Sequence, residues 1–353
     1  MQKKTRRRQS ERVRVEDVAA AAGVSGATVS RAINRTGPVS EAIRQRIEKA
    51  VVELGYVPNG AARALASHRT RVIGVVIPTL ENANFAITAE GAQRYLMKRG
   101  YHILVATSDY DPDQEWEQVQ SLVSHGVDGI VLVGAQRDAS VVEFLRSRRL
   151  PFVVTWTLAG DASTPCVGFD NAEAARKLAT HLINLGHRHI GVIAGLTRNN
   201  DRAAARLEGV RRALSDHKLV VAREMLLERP YRIVEGQLAL RALMAMSPAP
   251  TAVVCGNDHL AFGALIECGR QGIRVPEQVS VVGFDDLEFA SQIVPSLTTV
   301  QVPAEEIGRR AAEYLLAHLA GEAAPPTTEV TVSLIVRDSS GPPPRASRAA
   351  EDG

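Results

Sequence analysis

The arrangement of seven short apolar runs constrains this chain more than any other feature. "RVIGVVIP", "YHILVATS", "GVDGIVLVG", "LPFVVTW", "HIGVIAG", "TAVVCGN" and "VSVVGFDD" follow one another between Arg71 and Asp286, separated by amphipathic stretches. Continuous Val and Ile runs of this length read as parallel strands buried on both faces. Helices that end on glycine, as in "KRGY" and "NLGH", precede several of them. The fold class is therefore α/β. Residues 71 to 160 supply one set of strands and residues 163 to 290 a second, while "LTTVQVP" lets the chain recross near its end. Two doubly wound subdomains then face each other across a cleft.

The first 70 residues follow a different pattern. Val15, Val18, Ala19 and Ala22 recur at helical spacing, and Gly23 stops that helix in a left-handed conformation. Ser25 can cap a second helix through Asn34 whose apolar face is Val29, Ala32 and Ile33, with Val24 packing ahead of it. This is the spacing of a helix-turn-helix, whose second helix enters the major groove of DNA. Ser40 can cap a third helix with the stripe Ile43, Ile47, Ala50, Val51 and Leu54, closed by Gly55. The following "GAARALASHRT" is too short to be stable alone. Joined to a DNA reader, it makes sense as a helix that carries Arg63, folds on DNA and pushes Leu65 between base pairs.

Charge points the same way. Residues 1–70 hold 14 Lys or Arg against 6 Asp or Glu, while the other 283 residues of this 353-residue chain hold 28 against 33. A basic head on a mildly acidic body suits a polyanion, because each cation placed on a phosphate releases counterions. The opening "MQKKTRRRQ" is followed by "SERVRVEDV" rather than an apolar segment, so no export signal is expected. No apolar run approaches the roughly 20 residues of a bilayer span, so no membrane partner is expected. Cys166, Cys255 and Cys268 share no CxxC spacing, which suits reduced thiols and a cytoplasmic location.

The run "VEDVAAAAGVSGATVSRAINRTGPVSEAIRQRIEKAVVELGYVPNGAARALAS" closely resembles the head of the lac repressor and galactose repressor family. "ARLEG", "CGNDHLAFGAL" and "VVGFDDLEFASQIVPSLTTV" resemble segments of that family's core, so the resemblance spans nearly the whole chain. It implies an arm and helix-turn-helix domain (1–58), a hinge helix (59–70), and a core resembling a periplasmic sugar-binding protein (71–340). A tail over 341–353 reads as disordered and lacks the leucine heptads that assemble tetramers. By resemblance Gly26, Ala27 and Arg31 touch bases and Leu65 is the minor-groove wedge. Arg31 suits guanine, and Ala27 a thymine methyl. Ser25, Thr28, Ser30 and Asn59 read as phosphate or capping groups, and Asn34 closes the recognition helix. The implied partners are a palindromic operator DNA, a second copy of the chain and a small metabolite.

In doubly wound sheets ligands sit beyond the carboxyl ends of the strands. There the sequence places Asn84 and Phe85, Ser108 and Asp109, Trp156, Asn257 and Asp258, and Asp285 and Asp286, with Arg202 and Arg206 opening a helix after "VIAGLTRNND". Arginines, amides and carboxylates beside an aromatic suit a sugar or sugar acid. By resemblance Arg206, Asn257 and Asp285 are the recurrent effector-binding set, whereas Trp156 stands where several sugar-responsive members carry aspartate. Asp109, Asp258 and Asp286 serve equally as helix caps, and Phe85 and Trp156 equally as cleft wall. His181, His187 and His189 straddle a helix end and a strand start without a metal motif, so neither metal nor cofactor is expected. There is no GxxxxGK[ST], and "GVSGA" is not a nucleophile elbow, so no enzyme is expected. A solute-binding protein would account for the cleft alone, and a sugar-modifying enzyme would leave the basic head without a purpose.

Overall fold

The computed structural model describes residues 13–34, 37–57, 69–158 and 163–344. They divide into two compact units, with the boundary in the chain between Thr70 and Arg71.

The first unit holds three helices: α1 (Val15–Ala22), α2 (Gly26–Asn34) and α3 (Glu41–Leu54). Val18, Ala22, Val29, Ile47 and Ala50 are buried at their meeting point, and Val24, Ala32, Ile33 and Ile43 pack around them. Gly23 has φ 63° and closes α1 through its amide, while a Cβ there would lie 2.7 Å from the Arg46 guanidinium. That guanidinium donates to the carbonyls of Ala22 and Gly23, so α3 clamps the turn between α1 and α2. Ser25 Oγ accepts from the Thr28 amide at 3.2 Å and caps α2. Two expectations need correction. Ser40 precedes α3 without a side-chain capping bond, and Leu54 stays 37% exposed among the described residues.

The second unit is built on two parallel sheets. The amino-proximal lobe has six strands in the order β11-β5-β4-β3-β1-β2, comprising β1 (Val72–Ile77), β2 (His102–Thr107), β3 (Gly129–Val133), β4 (Phe152–Thr155), β5 (Cys166–Gly168) and β11 (Thr327–Glu329). The other lobe has four, β7-β6-β8-β9, comprising β6 (Ile190–Gly195), β7 (Leu226–Arg229), β8 (Ala252–Cys255) and β9 (Ser280–Val282). Antiparallel β10 (Thr299–Gln301) and β12 (Ser333–Ile335) form a ribbon beside the second sheet. Buried Val and Ile fill β1, β3, β4, β6 and β8, as two-sided burial requires.

The boundary placed between the strand sets moves. β5, expected in the second set, pairs in parallel with β4 and belongs to the first sheet, and β11 extends that sheet from far downstream. The chain therefore passes between the lobes after β5, after β10 and after β11. The tail boundary moves as well. Gly341 is buried, its carbonyl accepts from His187 Nε2 at 2.8 Å and its amide donates to Ser280 Oγ at 3.0 Å, so ordered structure continues past residue 340.

Helices cover both sheets in pairs that approach through glycine. α4 (Ala83–Met97) meets α11 (Ala304–Ala320), where a Cβ on Gly308 would lie 1.8 Å from the Thr88 carbonyl oxygen. α7 (Asn171–Asn184) meets α8 (Asp201–Asp216) at Gly209, and α9 (Ile233–Met244) meets α10 (Asp258–Gln271) at Gly236 and Gly263. α5 (Pro112–Ser124) and α6 (Ala139–Ser147) complete the first lobe.

Candidate effector cleft and DNA-facing helix

Segments that follow the strands of both lobes line two joined cavities. The inner, of about 20 Å³, is bounded by Asn82, Phe85, Tyr110, Trp156, Asn200, Arg202, Arg206, Tyr231, Asn257 and Asp285. The outer, of about 260 Å³, shares Asn82, Tyr110, Asn200 and Tyr231 and adds Asp109 and rim residues from both lobes.

Arg206, on the first turns of α8, is committed to its surroundings. Nε donates to Asn171 Oδ1 at 3.0 Å, Nη1 donates to the Gly256 carbonyl at 3.0 Å, and Nη2 lies 3.5 Å from Asp285 Oδ1. The guanidinium stacks 3.7 Å over the Phe284 ring. Asp285 sits at φ 122° in the turn after β9, held by its amide to the Val300 carbonyl of β10. Burial pushes its carboxyl up to about 6, against the opposing pull of Arg206. At neutral pH it is an acceptor facing the inner cavity.

Asn257 caps α10 through the Leu260 amide at 3.0 Å and is fully buried. Asp258 is no cap. Its carboxyl accepts from the Leu287 amide and Thr299 Oγ1 at 2.8 and 2.6 Å, pinning the loop that carries Asp285, and burial beside Asp285 drives its pKa well upward. Asp286 is also no cap, since it pairs with Arg337 at 2.7 Å. Asp109, at φ 48°, lies exposed on the outer cavity, and Asp111 caps α5 instead.

Trp156 and Phe85 are buried wall residues as well as cavity lining. Their rings meet edge to face with centroids 5.4 Å apart, and the series continues through Phe169 to Phe284 beneath Arg206. The Trp156 indole donates to Thr88 Oγ1 at 3.2 Å, and its carbonyl accepts from Asn171 Nδ2 at 2.8 Å. Asn171 thus links the wall of the first lobe to Arg206. Asn84 lines neither cavity. It is buried in the first turn of α4, where its Nδ2 has no hydrogen-bond partner among the described residues, while Asn82, the helix cap, faces the cleft. Arg202 pairs with Asp201 at 2.9 Å, and Asp201 also accepts from the Ala135 amide of the first lobe at 2.9 Å.

Tyr110 and Tyr231 escaped the sequence reading. Tyr110 stands one residue after Asp109, and Tyr231 follows β7, a strand of mixed composition that periodicity did not reveal. Burial raises both phenols above the usual tyrosine range, leaving them neutral hydroxyl groups between the cavities.

On the head, Ser25, Ala27, Ser30 and Arg31 are exposed along one side of the turn and α2, and a Cβ on Gly26 would meet open space. Arg31 Nε reaches the Ala27 carbonyl at 3.4 Å and Thr28 Oγ1 bonds Ser25 Oγ at 2.9 Å. Asn34 ends α2. Asn59, Arg63 and Leu65 lie outside the described residues.

Comparison with known proteins decides the family. Residues 14–59 match the bacterial regulatory proteins of the lacI family, and residues 179–340 match a periplasmic binding protein-like domain. The HTH-type transcriptional regulator GntR of Pseudomonas aeruginosa is 36% identical over 87% of this chain and 90% of its own length. The chain belongs to the LacI family. The ribose operon repressor of Haemophilus influenzae is 34% identical over 86% of this chain and 90% of its own length. The lac repressor dimer bound to operator and the anti-inducer ONPF superposes with a TM-score of 0.84 at 26% identity, covering 94% of this chain and 100% of that one. This LacI-family protein is thus a transcriptional regulator with a helix-turn-helix DNA-binding head and an effector-binding core. Among the described residues no helix is long and apolar enough to cross a membrane.

Proposed function

We propose that this regulator is a repressor that binds a near-palindromic operator as a dimer and changes its DNA affinity when a sugar or sugar acid enters the cleft. The joined polar cavities between the lobes carry this reading: Asp285, Asn257, Asn82 and Asn200 supply acceptors and amide donors, Tyr110 and Tyr231 supply hydroxyls, and Phe85 and Trp156 supply ring faces. That mixture suits a ligand with many hydroxyls and an apolar ring face. Relatives point the same way, since one is a ribose operon repressor and one solved LacI-family structure holds bound ribose.

The two-fold requirement comes from DNA. One helix-turn-helix reads a half-site, so a palindrome needs two copies. Apolar residues left exposed on the core support self-association: Leu104 and Val105 on the edge strand β2, Ile233, Val234 and Leu238 on α9, and Phe289. Gly26, Ala27 and Arg31 read bases, Ser25, Thr28, Ser30, Asn34, Asn59 and Arg63 hold the backbone, and Leu65 wedges the minor groove at the operator centre. Effector binding shifts the balance between lobe arrangements and so the spacing of the heads.

Fluorescence anisotropy on palindromic duplexes with a central C-G step, repeated with sugars, sugar acids and purines, tests the reading. Tight, salt-dependent binding altered by a sugar-class compound is expected. Equal affinity for palindromic and random DNA would refute it.

A further inference from the structure

Arg206 already donates to Asn171 and Gly256, pairs with Asp285 and stacks on the Phe284 ring, so its positive charge is partly neutralised before any ligand enters. The outer cavity has more. Arg198 and Arg232 both line it, both are exposed, and neither forms an ion pair with another described residue. Arg198 is carried on a loop anchored by Thr197, whose amide and hydroxyl both donate to Glu228 at 2.8 Å. Arg232 is the N-cap residue of α9, which begins without a side-chain capping bond. Asn82 and Asn200, the caps of α4 and α8, line the same cavity. Three helix N-termini and two guanidinium groups therefore converge on one space of about 260 Å³. Amide dipoles and unpaired arginines together favour an anion. Glu81 and Asp109 on the opposite rim are the opposing charges, and they are suited to accept from ligand hydroxyls.

We infer that the effector lies in the outer cavity with its negative charge, a carboxylate or phosphate, held by Arg198, Arg232 and the start of α9, and with its hydroxyl-rich end directed toward the mouth of the inner cavity and Asp285. The inference rests on the cleft being the effector site, and narrows the sugar or sugar acid of that reading to anionic derivatives held at named rim residues. The buried arginine of the inner cavity then shapes the site, and the rim arginines set its preference for charge.

Calorimetric titration of the full-length protein with five- and six-carbon aldoses, their aldonates and their phosphates tests this at two ionic strengths. The wild type should bind an aldonate or a phosphate about tenfold or more tighter than its neutral parent, with a preference that weakens in salt. Which of the two binds separates carboxylate from phosphate. In Arg198→Gln/Arg232→Gln the preference should collapse to about twofold, while Arg198→Lys/Arg232→Lys should retain most of it. If neutral and anionic members bind alike, or the Gln variant keeps the preference, the outer anion subsite is wrong and the effector cleft stands. If no member binds and none alters operator affinity, the sugar reading falls and this inference with it.

Discussion

Asp285 holds its ionised form at a cost, because burial outweighs Arg206 and lifts its carboxyl from 3.8 to about 6. A pKa raised in the folded state means that the folded protein binds the proton more tightly. The group favours folding most below the unfolded pKa, and that contribution is lost as pH rises through about 6, a span worth about 3 kcal/mol. The melting temperature of Asp285→Asn relative to wild type should therefore be more favourable at pH 7.5 than at pH 4.5. A difference that stays constant across that range would place the strain elsewhere. Arg206→Ala should do the reverse, since it leaves Asp285 buried without its cation. A loss of about 3–5 kcal/mol in urea unfolding is expected, with the effector response abolished. Resemblance supplied the candidate trio Arg206, Asn257 and Asp285, whereas the partners of Arg206 could not be read. Asn171 lies 35 positions away, and only folding brings its amide between Trp156 and Arg206.

At the scale of elements, apolar runs located the central strands and also β2, whose residues stay exposed or half-buried at the sheet edge against the expectation of two-sided burial, and they missed short or mixed strands. β7, "LLER", is half-buried apart from the exposed Glu228 and ends on two charged residues, and β11, "TTE", has no apolar residue, so neither carries the signal of a central parallel strand. β5 was visible only as a cysteine and a valine, and its assignment depended on pairing. The glycines at helix contacts were legible as residues without their purpose being so. Gly308→Ala should force α4 and α11 apart and cost about 1–3 kcal/mol by thermal denaturation. Because Thr88 lies at that contact and also receives the Trp156 indole, the tryptophan emission should shift with it. An unchanged spectrum alongside full stability would remove the close contact from the account. In the head, Leu65→Ala should weaken operator binding by well over the loss on random DNA, because a wedge acts only where the duplex is kinked. Equal losses would argue for a plain backbone contact.

For the whole molecule, the divided charge and the exposed apolar faces make separate predictions. Operator affinity should fall steeply with salt, through the basic head, while self-association should persist because apolar burial is insensitive to moderate salt. Sedimentation velocity across the salt range used for anisotropy separates the two, and a monomer at micromolar concentration would remove the dimer. The three passages of the chain between lobes carry a further consequence, for synthesis. The first sheet is completed by β11, and α11 covers it, so the amino-proximal lobe waits for residues 304–329 although its first strand begins at residue 72. During translation its apolar strands emerge long before their last neighbour, which makes this lobe the one most dependent on chaperones and the first to aggregate when the message is truncated.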